Sequence, residues 1–300
     1  MLNVAGPAPS SPSPSVAPLK ATLQMIKFSH TLFALPFALL SAFLAAQGLP
    51  RTETLVFILL AMVGARSAAM TFNRIADRDI DALNPRTSRR EIPSGVISVR
   101  WATLFCLLSI ALFVFAASRL NRLCLLLAPV ALVLVLGYSL TKRFTALSHL
   151  VLGLSLALAP VGAWLAVRGS FAWLPILIGL VVLFWVAGFD IIYSLQDEAF
   201  DRAQGLRSLP ALLGARNALR ISALFHAATF ALLVGVVLVA HGGGIFYAGV
   251  LLAGLFLVRQ HALVSPSDLS RVDGAFFTAN GWLSVVVLVA GVLDLWLALR

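Results

Sequence analysis

Two acidic segments hold the residues in this chain best suited to chemistry. The first reads Asn73-Arg74-Ile75-Ala76-Asp77-Arg78-Asp79-Ile80-Asp81, the second Tyr193-Ser194-Leu195-Gln196-Asp197-Glu198-Ala199-Phe200-Asp201. In each, a polar residue is followed at steps of four by two aspartates, and eight of the twelve Asp and Glu lie within 77–91 or 190–201. On a helix, positions four and eight apart drift only modestly, so the spacing predicts that each triplet projects from one helical face. Clustered carboxylates repel one another unless a cation stands between them. The simplest such cation is Mg2+, a hard ion that takes one or two protein carboxylates and completes its shell with water and phosphate oxygens.

The elements that must position these groups are built for lipid. The chain is 60% hydrophobic and 11% charged, with a mean hydropathy of +0.98. That is more apolar surface than a soluble domain of 300 residues hides. Apolar stretches long enough for a ~30 Å hydrocarbon core occur about nine times, near 28–48, 54–73, 101–118, 122–140, 147–166, 172–193, 217–240, 244–264 and 278–299. The expected fold is therefore all-α, a polytopic membrane protein with about nine transmembrane helices. Residues 1–19 are Pro/Ser-rich and read as a disordered tail, and 20–300 as one transmembrane domain. No charged n-region, apolar core and cleavage site precede the first span, which is expected to act as its own uncleaved signal.

A net charge of +10 could point to nucleic acid, but its distribution argues otherwise. With the N-terminus cytoplasmic, sixteen of the twenty-two Lys and Arg fall on the inner side, five on the outer side, and Arg66 inside the second span. This is a positive-inside bias, and it places both acidic motifs at the cytoplasmic face. Cys106 and Cys124 lie in apolar stretches without metal-ligand spacing and read as small hydrophobes.

The two motifs repeat one layout, an internal repeat of the kind that builds membrane sites at the repeat interface. Each sits at the cytoplasmic end of an even-numbered span and runs into basic residues and a proline: Asn84-Pro85-Arg86-Thr87-Ser88-Arg89-Arg90-Glu91-Ile92-Pro93-Ser94-Gly95 in one, Gly205-Leu206-Arg207-Ser208-Leu209-Pro210 in the other. The two half-sites, 73–95 and 190–210, are expected to face each other. A third cytoplasmic segment, Tyr138-Ser139-Leu140-Thr141-Lys142-Arg143-Phe144-Thr145, adds two cations between them. Carboxylates, a divalent metal and converging Lys and Arg make a diphosphate pocket.

These motifs closely resemble those of the UbiA superfamily of intramembrane aromatic prenyltransferases. The resemblance rests on Asn73/Asp77/Asp81, on Asp197/Asp201, on Arg86-Thr87 through Arg90, Pro93 and Gly95, and on the 138–145 segment. It implies a helical bundle around a central cavity. Two Mg2+ ions, one per motif, would hold the diphosphate of a polyprenyl diphosphate, and an electron-rich aromatic hydroxy acid would attack the allylic carbocation. It also implies metal ligation by Asn73, Asp77 and Asp81 on one side and by Asp197 and Asp201 on the other. Lys142, Arg143, Arg86 and Arg207 would contact the diphosphate, and Asp190 and Tyr193 would orient the acceptor or accept its ring proton. The membrane supplies lodging for the prenyl tail, and the reaction would belong to ubiquinone or menaquinone synthesis at the inner membrane.

Glu91 stands where the family's loop commonly has proline, which tilts the acceptor from 4-hydroxybenzoate toward a dihydroxynaphthoate. Asp79 and Glu198 read as solvated loop charges, Arg74 and Arg89 as topology determinants, and His149 and His226 as structural residues. His30 is an ionisable group in the first span and so a functional candidate. Two alternatives remain: a cation-coupled transporter, or another membrane diphosphate-dependent transferase. The acids lie at helix ends beside Arg-rich loops, which suits diphosphate better than a transport path. The D-G-x-x-A-R element of CDP-alcohol phosphotransferases is absent.

The charge asymmetry yields a topology test. In a background with Cys106 and Cys124 replaced by alanine, cysteines introduced at Ser88 and Gln204 are expected to resist a membrane-impermeant maleimide added from outside. One at Ser170 is expected to label. Labelling at Ser88 or Gln204 from outside would reverse the orientation.

Overall fold

The computed structural model describes residues 18–26, 33–274 and 279–299. Most of the proposed 1–19 tail, together with His30 and Arg300, lies outside the described residues. In chain order the helices are α1 (Pro18–Met25), α2 (Leu35–Ala46), α3 (Thr52–Ala76), α4 (Arg78–Leu83), α5 (Val99–Leu120), α6 (Arg122–Thr141), α7 (Ser148–Arg168), α8 (Trp173–Ser194), α9 (Glu198–Ala203), α10 (Leu209–Val239), α11 (Gly244–Ala262), the single turn α12 (Val272–Gly274) and α13 (Asn280–Ala298). Among the described residues there is no strand, eight helices are long and apolar enough to cross a membrane, and α2 is a shorter apolar helix. The fold is thus the all-α polytopic membrane architecture that hydropathy predicts.

Most spans begin and end within a few residues of their apolar stretches, because the caps coincide with the polar residues that bound them. Ser98 caps α5 by accepting the Trp101 N–H at 3.2 Å, and Asn121 caps α6 by accepting that of Cys124 at 2.9 Å. The exception is α10, which starts at Leu209 and not near 217. Ser208 caps it, Pro210 occupies its first turn, and Gly214 (φ 76, ψ 160) breaks the helix before the span proper. That backbone conformation is open to glycine at low cost, so a short apolar turn precedes the membrane segment.

Close helix contacts rely on small residues, as expected where lipid offers no hydrophobic gain for association. A Cβ on Gly153 of α7 would stand 2.3 Å from the Leu183 carbonyl oxygen of α8, and one on Gly64 of α3 would stand 2.7 Å from the Phe113 N of α5. The largest core joins α2, α7, α8, α10, α11 and α13 around Trp185, which is fully buried. Its ring packs against Phe37 and Phe189 at centroid distances of 5.3 and 5.2 Å, and its Nε1 donates to Asn280 Oδ1 at 2.8 Å. This half is solid. By contrast α6 is mostly unburied, and between α3, α5 and α6 on one side and α7 and α8 on the other lies a cavity of about 600 Å3.

Candidate active site

Both acidic motifs bend at the same point. Asp77 has φ −95 and ψ 5, Asp197 has φ −104 and ψ 3, so the helix is interrupted at the first aspartate of each pair. The expectation of one continuous helical face is corrected here. Asp77 separates α3 from α4, and a 3-10 turn at Leu195–Asp197 separates α8 from α9. This sparsely populated bridge conformation is common at active sites. It repeats in both halves of the chain, and in each half it carries the second aspartate on a short helix of its own.

The break places the carboxylates against cations. Arg143 Nη2 lies 3.2 Å from Asp77 Oδ1, and Arg90 Nη1 lies 2.7 Å from Asp81 Oδ1. Arg86 grips both oxygens of Asp197, with Nε 2.9 Å from Oδ1 and Nη2 on Oδ2. Lys142 Nζ lies 2.7 Å from Asp201 Oδ1, at an angle that makes it a charge contact and not an aligned hydrogen bond. Lys142 and Arg143 are neighbours in sequence, yet one reaches the second motif and the other the first. They therefore fix the two motifs across a single opening.

Further hydrogen bonds hold this arrangement. Asn73 Nδ2 donates to Asp77 Oδ2 at 2.9 Å, and Arg74 Nη1 donates to Asn73 Oδ1 at 3.2 Å. Asn84 Nδ2 donates to Asp197 Oδ1 at 3.0 Å, tying the first motif's trailing loop to the second motif. Arg86 Nη1 donates to the Tyr193 hydroxyl at 3.2 Å, and its guanidinium stacks 5.3 Å over that ring. Burial raises the Asp77 pKa above the usual carboxylate value; nearby Asp81 adds to this, while Arg143 opposes it. A carboxylate so penalised for its charge is receptive to a further cation. Asp77, Asp81, Asp197, Asp201 and the Asn73 carboxamide offer oxygen donors of the kind a hard divalent ion takes, although among the described residues no three carboxylates are gathered closely enough to hold an ion as they stand. The buried Asp201 Oδ1, lacking an aligned donor, fits such an ion too.

Arg207 is not brought to the carboxylates. Its exposed guanidinium donates to the Phe144 carbonyl at 2.9 Å and its N–H to the Lys142 carbonyl at 2.8 Å, holding the 142–144 segment in place. Asp79 and Glu198 pair locally with Arg78 and Arg202; both stand on the short helices α4 and α9 and not in loops, and Asp79 is exposed while Glu198 is half-buried. His226 is structural as expected, within hydrogen-bond distance of His261 and the Trp185 carbonyl.

Next to the charged mouth lies the cavity, lined by apolar residues such as Ala61, Met62, Leu127, Ala131, Leu158 and Gly162 and by the polar Arg66, Asn73, Arg74, Arg90, Asp190 and Tyr193. Three of the polar ones, Arg66, Arg74 and Arg90, were not among the sequence candidates for the site, and Arg90 is the partner of Asp81. Arg74 is buried and lines this cavity, as well as a smaller one of about 260 Å3 shared with Arg86, Arg89, Arg90 and Glu91. That burial gives it a place in the site that its reading as a topology determinant did not include. Arg66 lies a further two turns into α3, and its Nε has no hydrogen-bond partner. The signal was present in the sequence: an arginine inside a span costs about 2.5–3.5 kcal/mol on insertion scales and marks function by default.

Comparison with known proteins decides the family. The profile of the UbiA prenyltransferase family matches residues 34–294. The chain belongs to that family. Among its relatives, the 4-hydroxybenzoate octaprenyltransferase of Francisella tularensis subsp. novicida is 31% identical over 252 residues, covering 84% of this chain and 88% of that protein. The 4-hydroxybenzoate octaprenyltransferase of Vibrio cholerae serotype O1 is 33% identical over 255 residues, with the same coverage of 84% and 88%. The apo structure of a UbiA homologue from Aeropyrum pernix K1 superposes with a TM-score of 0.81 at 36% identity, over 88% of this chain and 98% of that one. A UbiA homologue from Archaeoglobus fulgidus, bound to DMAPP and Mg2+, shares the fold with a TM-score of 0.73 at 24% identity, over 92% of this chain and 99% of that one.

The ion pairs of this family member can be weighed by a double-mutant cycle in detergent, without Mg2+ or prenyl diphosphate. Arg90→Ala leaves the Asp81 carboxylate buried without its cation and is expected to cost about 1.5–3 kcal/mol. The Asp81→Ala/Arg90→Ala pair is expected to cost at least about 1 kcal/mol less than the sum of the single changes. Additive losses would show that the pair is not coupled.

Proposed function

We propose that the protein transfers a polyprenyl group from a polyprenyl diphosphate to an aromatic hydroxy acid, in an Mg2+-dependent step of respiratory quinone synthesis at the cytoplasmic side of the inner membrane. The observation that carries this reading is the reach of Lys142 to Asp201 at 2.7 Å and of Arg143 to Asp77 at 3.2 Å, above an apolar cavity. It supports a single transmembrane domain, 20–300, with two facing half-sites.

In this reading, the carboxylates and cations that now neutralise each other exchange partners when substrate arrives. Mg2+ held by Asn73, Asp77 and Asp81 on one side and by Asp197 and Asp201 on the other would neutralise the departing diphosphate. Arg86, Arg90, Lys142 and Arg143 then donate to phosphate oxygens, Arg86 in the two-pronged geometry it already uses on Asp197. Arg207 serves the diphosphate indirectly, by holding the Lys142–Phe144 backbone. The allylic C–O bond breaks, its electron pair leaving with the diphosphate, and the aromatic ring supplies the electrons of the new C–C bond. Asp190 takes the ring proton, the C–H electrons restore aromaticity, and Tyr193 orients the acceptor. Apolar walls keep water from the carbocation.

Arg66 is the group we assign to the acceptor's carboxylate. It lines the cavity below the mouth with an unpartnered Nε, and a carboxylate held there leaves the ring between it and the diphosphate. The curated relatives are named for 4-hydroxybenzoate, which makes it the first acceptor to test. Glu91 lines the smaller cavity and not the central one, so its departure from the family's proline gives no contact by which to favour a dihydroxynaphthoate.

The test is an assay of purified protein with a polyprenyl diphosphate against 4-hydroxybenzoate, 1,4-dihydroxy-2-naphthoate and 1,4-dihydroxy-6-naphthoate, with products identified by mass. Turnover is expected with Mg2+ and none with excess EDTA. Asp77→Ala and Asp197→Ala should each abolish it, and Arg66→Ala should raise the acceptor KM about tenfold or more while leaving that of the prenyl diphosphate within about twofold. Full activity in EDTA would refute the metal reading. Turnover of a naphthoate alone would reverse the choice of acceptor, and no product with any phenol would favour a transporter.

A further inference from the structure

We infer that His149 is a positioning residue for Asp190, fixing which oxygen of that carboxylate faces the acceptor; this rests on the reading of Asp190 as the group that takes the ring proton. His149 stands in the first turn of α7 and is 3% exposed. Its Nδ1 is 2.7 Å from Asp190 Oδ2, and its Nε2 is 3.3 Å from the backbone N of Leu209.

The chemistry of these neighbours sets the imidazole's state. A backbone N–H only donates, so Nε2 must accept and carries no proton. The ring proton then sits on Nδ1 and is donated to Asp190. The Leu209 N–H thus selects the Nδ1–H tautomer of the ring over the Nε2–H one. Asp190 lines the cavity with Oδ2 committed to His149, while Oδ1 makes no hydrogen bond among the described residues. That oxygen is the one available to an incoming proton.

The same contact reaches the second acidic motif. Leu209 is the first residue of α10, and its N–H is one of the orphan donors of a helix start. The preceding residue, Ser208, caps that helix and donates its hydroxyl to Asp201 Oδ2 at 2.8 Å. A continuous path therefore runs from Asp201 through Ser208 and Leu209 to His149 and Asp190. The base is set in register with the carboxylate beside the diphosphate. Neither end of this path is close to His149 in sequence, which is why the residue reads as a bland helix-start histidine until the chain is folded.

The experiment compares His149→Ala with His149→Gln, whose carboxamide can still donate to Asp190 and accept from Leu209. His149→Ala is expected to lower kcat about tenfold to a hundredfold, less than the roughly 10²–10⁴ of losing the base itself. Its KM for the prenyl diphosphate should stay within about twofold, and His149→Gln should recover kcat to within about fivefold of wild type. In an Asp190→Asn background, His149→Ala should give no further loss. Wild-type kcat in His149→Ala, or a Gln variant as impaired as the Ala variant, would overturn the proposal, as would a further loss in the Asp190→Asn background. A separate result, wild-type turnover by Asp190→Asn, would instead overturn the role of Asp190 on which the proposal rests.

Discussion

A carboxylate at the edge of a membrane must be met by a positive charge, and the rest of this structure follows from how that is done. Asp77, Asp81, Asp197 and Asp201 are each paired with a different basic residue, Arg143, Arg90, Arg86 and Lys142. Desolvating one member of such a set without the other would cost several kcal/mol per ion. The second motif depends on cations from outside its own loop, Arg86 of the first motif's trailer and Lys142 of the central segment, whereas the first motif is met by its own Arg90 and by Arg143 of that central segment. Neutralised in this way, the charged mouth can close over an apolar cavity. The groups involved are also the ones that a metal and a diphosphate would separate from one another.

The scaffold beneath serves that mouth by being unequal. The half around Trp185 is densely packed, with glycines allowing α7 and α8 to approach at backbone distance. That gives the second motif a rigid base at the end of α8. The α5 and α6 side is thinner and mostly unburied, leaving the cavity between it and α7. Apolar walls here cost little because lipid lies outside them. Only a few polar groups interrupt them, among them Arg66 and Asp190, the latter backed by His149.

The sequence made the spans legible because apolar length is a strong signal and polar caps such as Ser98 and Asn121 mark where each run ends. The acidic motifs and their basic trailers were legible as types and spacings. Their partners were not: nothing local says that Lys142 turns to Asp201 while Arg143 turns to Asp77. The interruption at Asp77 and Asp197 was hidden as well, since the four-residue repeat of aspartates is what an unbroken helix would also show. Arg66 and His149 were visible as polar residues in or at the ends of apolar helices, but their significance depends on the cavity and on Leu209, contributed by distant segments. The contact of Arg207 was hidden for the same reason, because its partner is a backbone carbonyl that carries no sequence signal.

The exchange of partners at the mouth is the centre of this account, and it can be observed directly. The measurement is a structure of the protein with Mg2+ and an unreactive thiolodiphosphate analogue of the prenyl donor. Metal density is expected between Asp77/Asp81 and Asp197/Asp201, with Arg86, Arg90, Lys142 and Arg143 turned from the carboxylates to phosphate oxygens. A diphosphate bound with all four ion pairs intact and no metal between the motifs would contradict it.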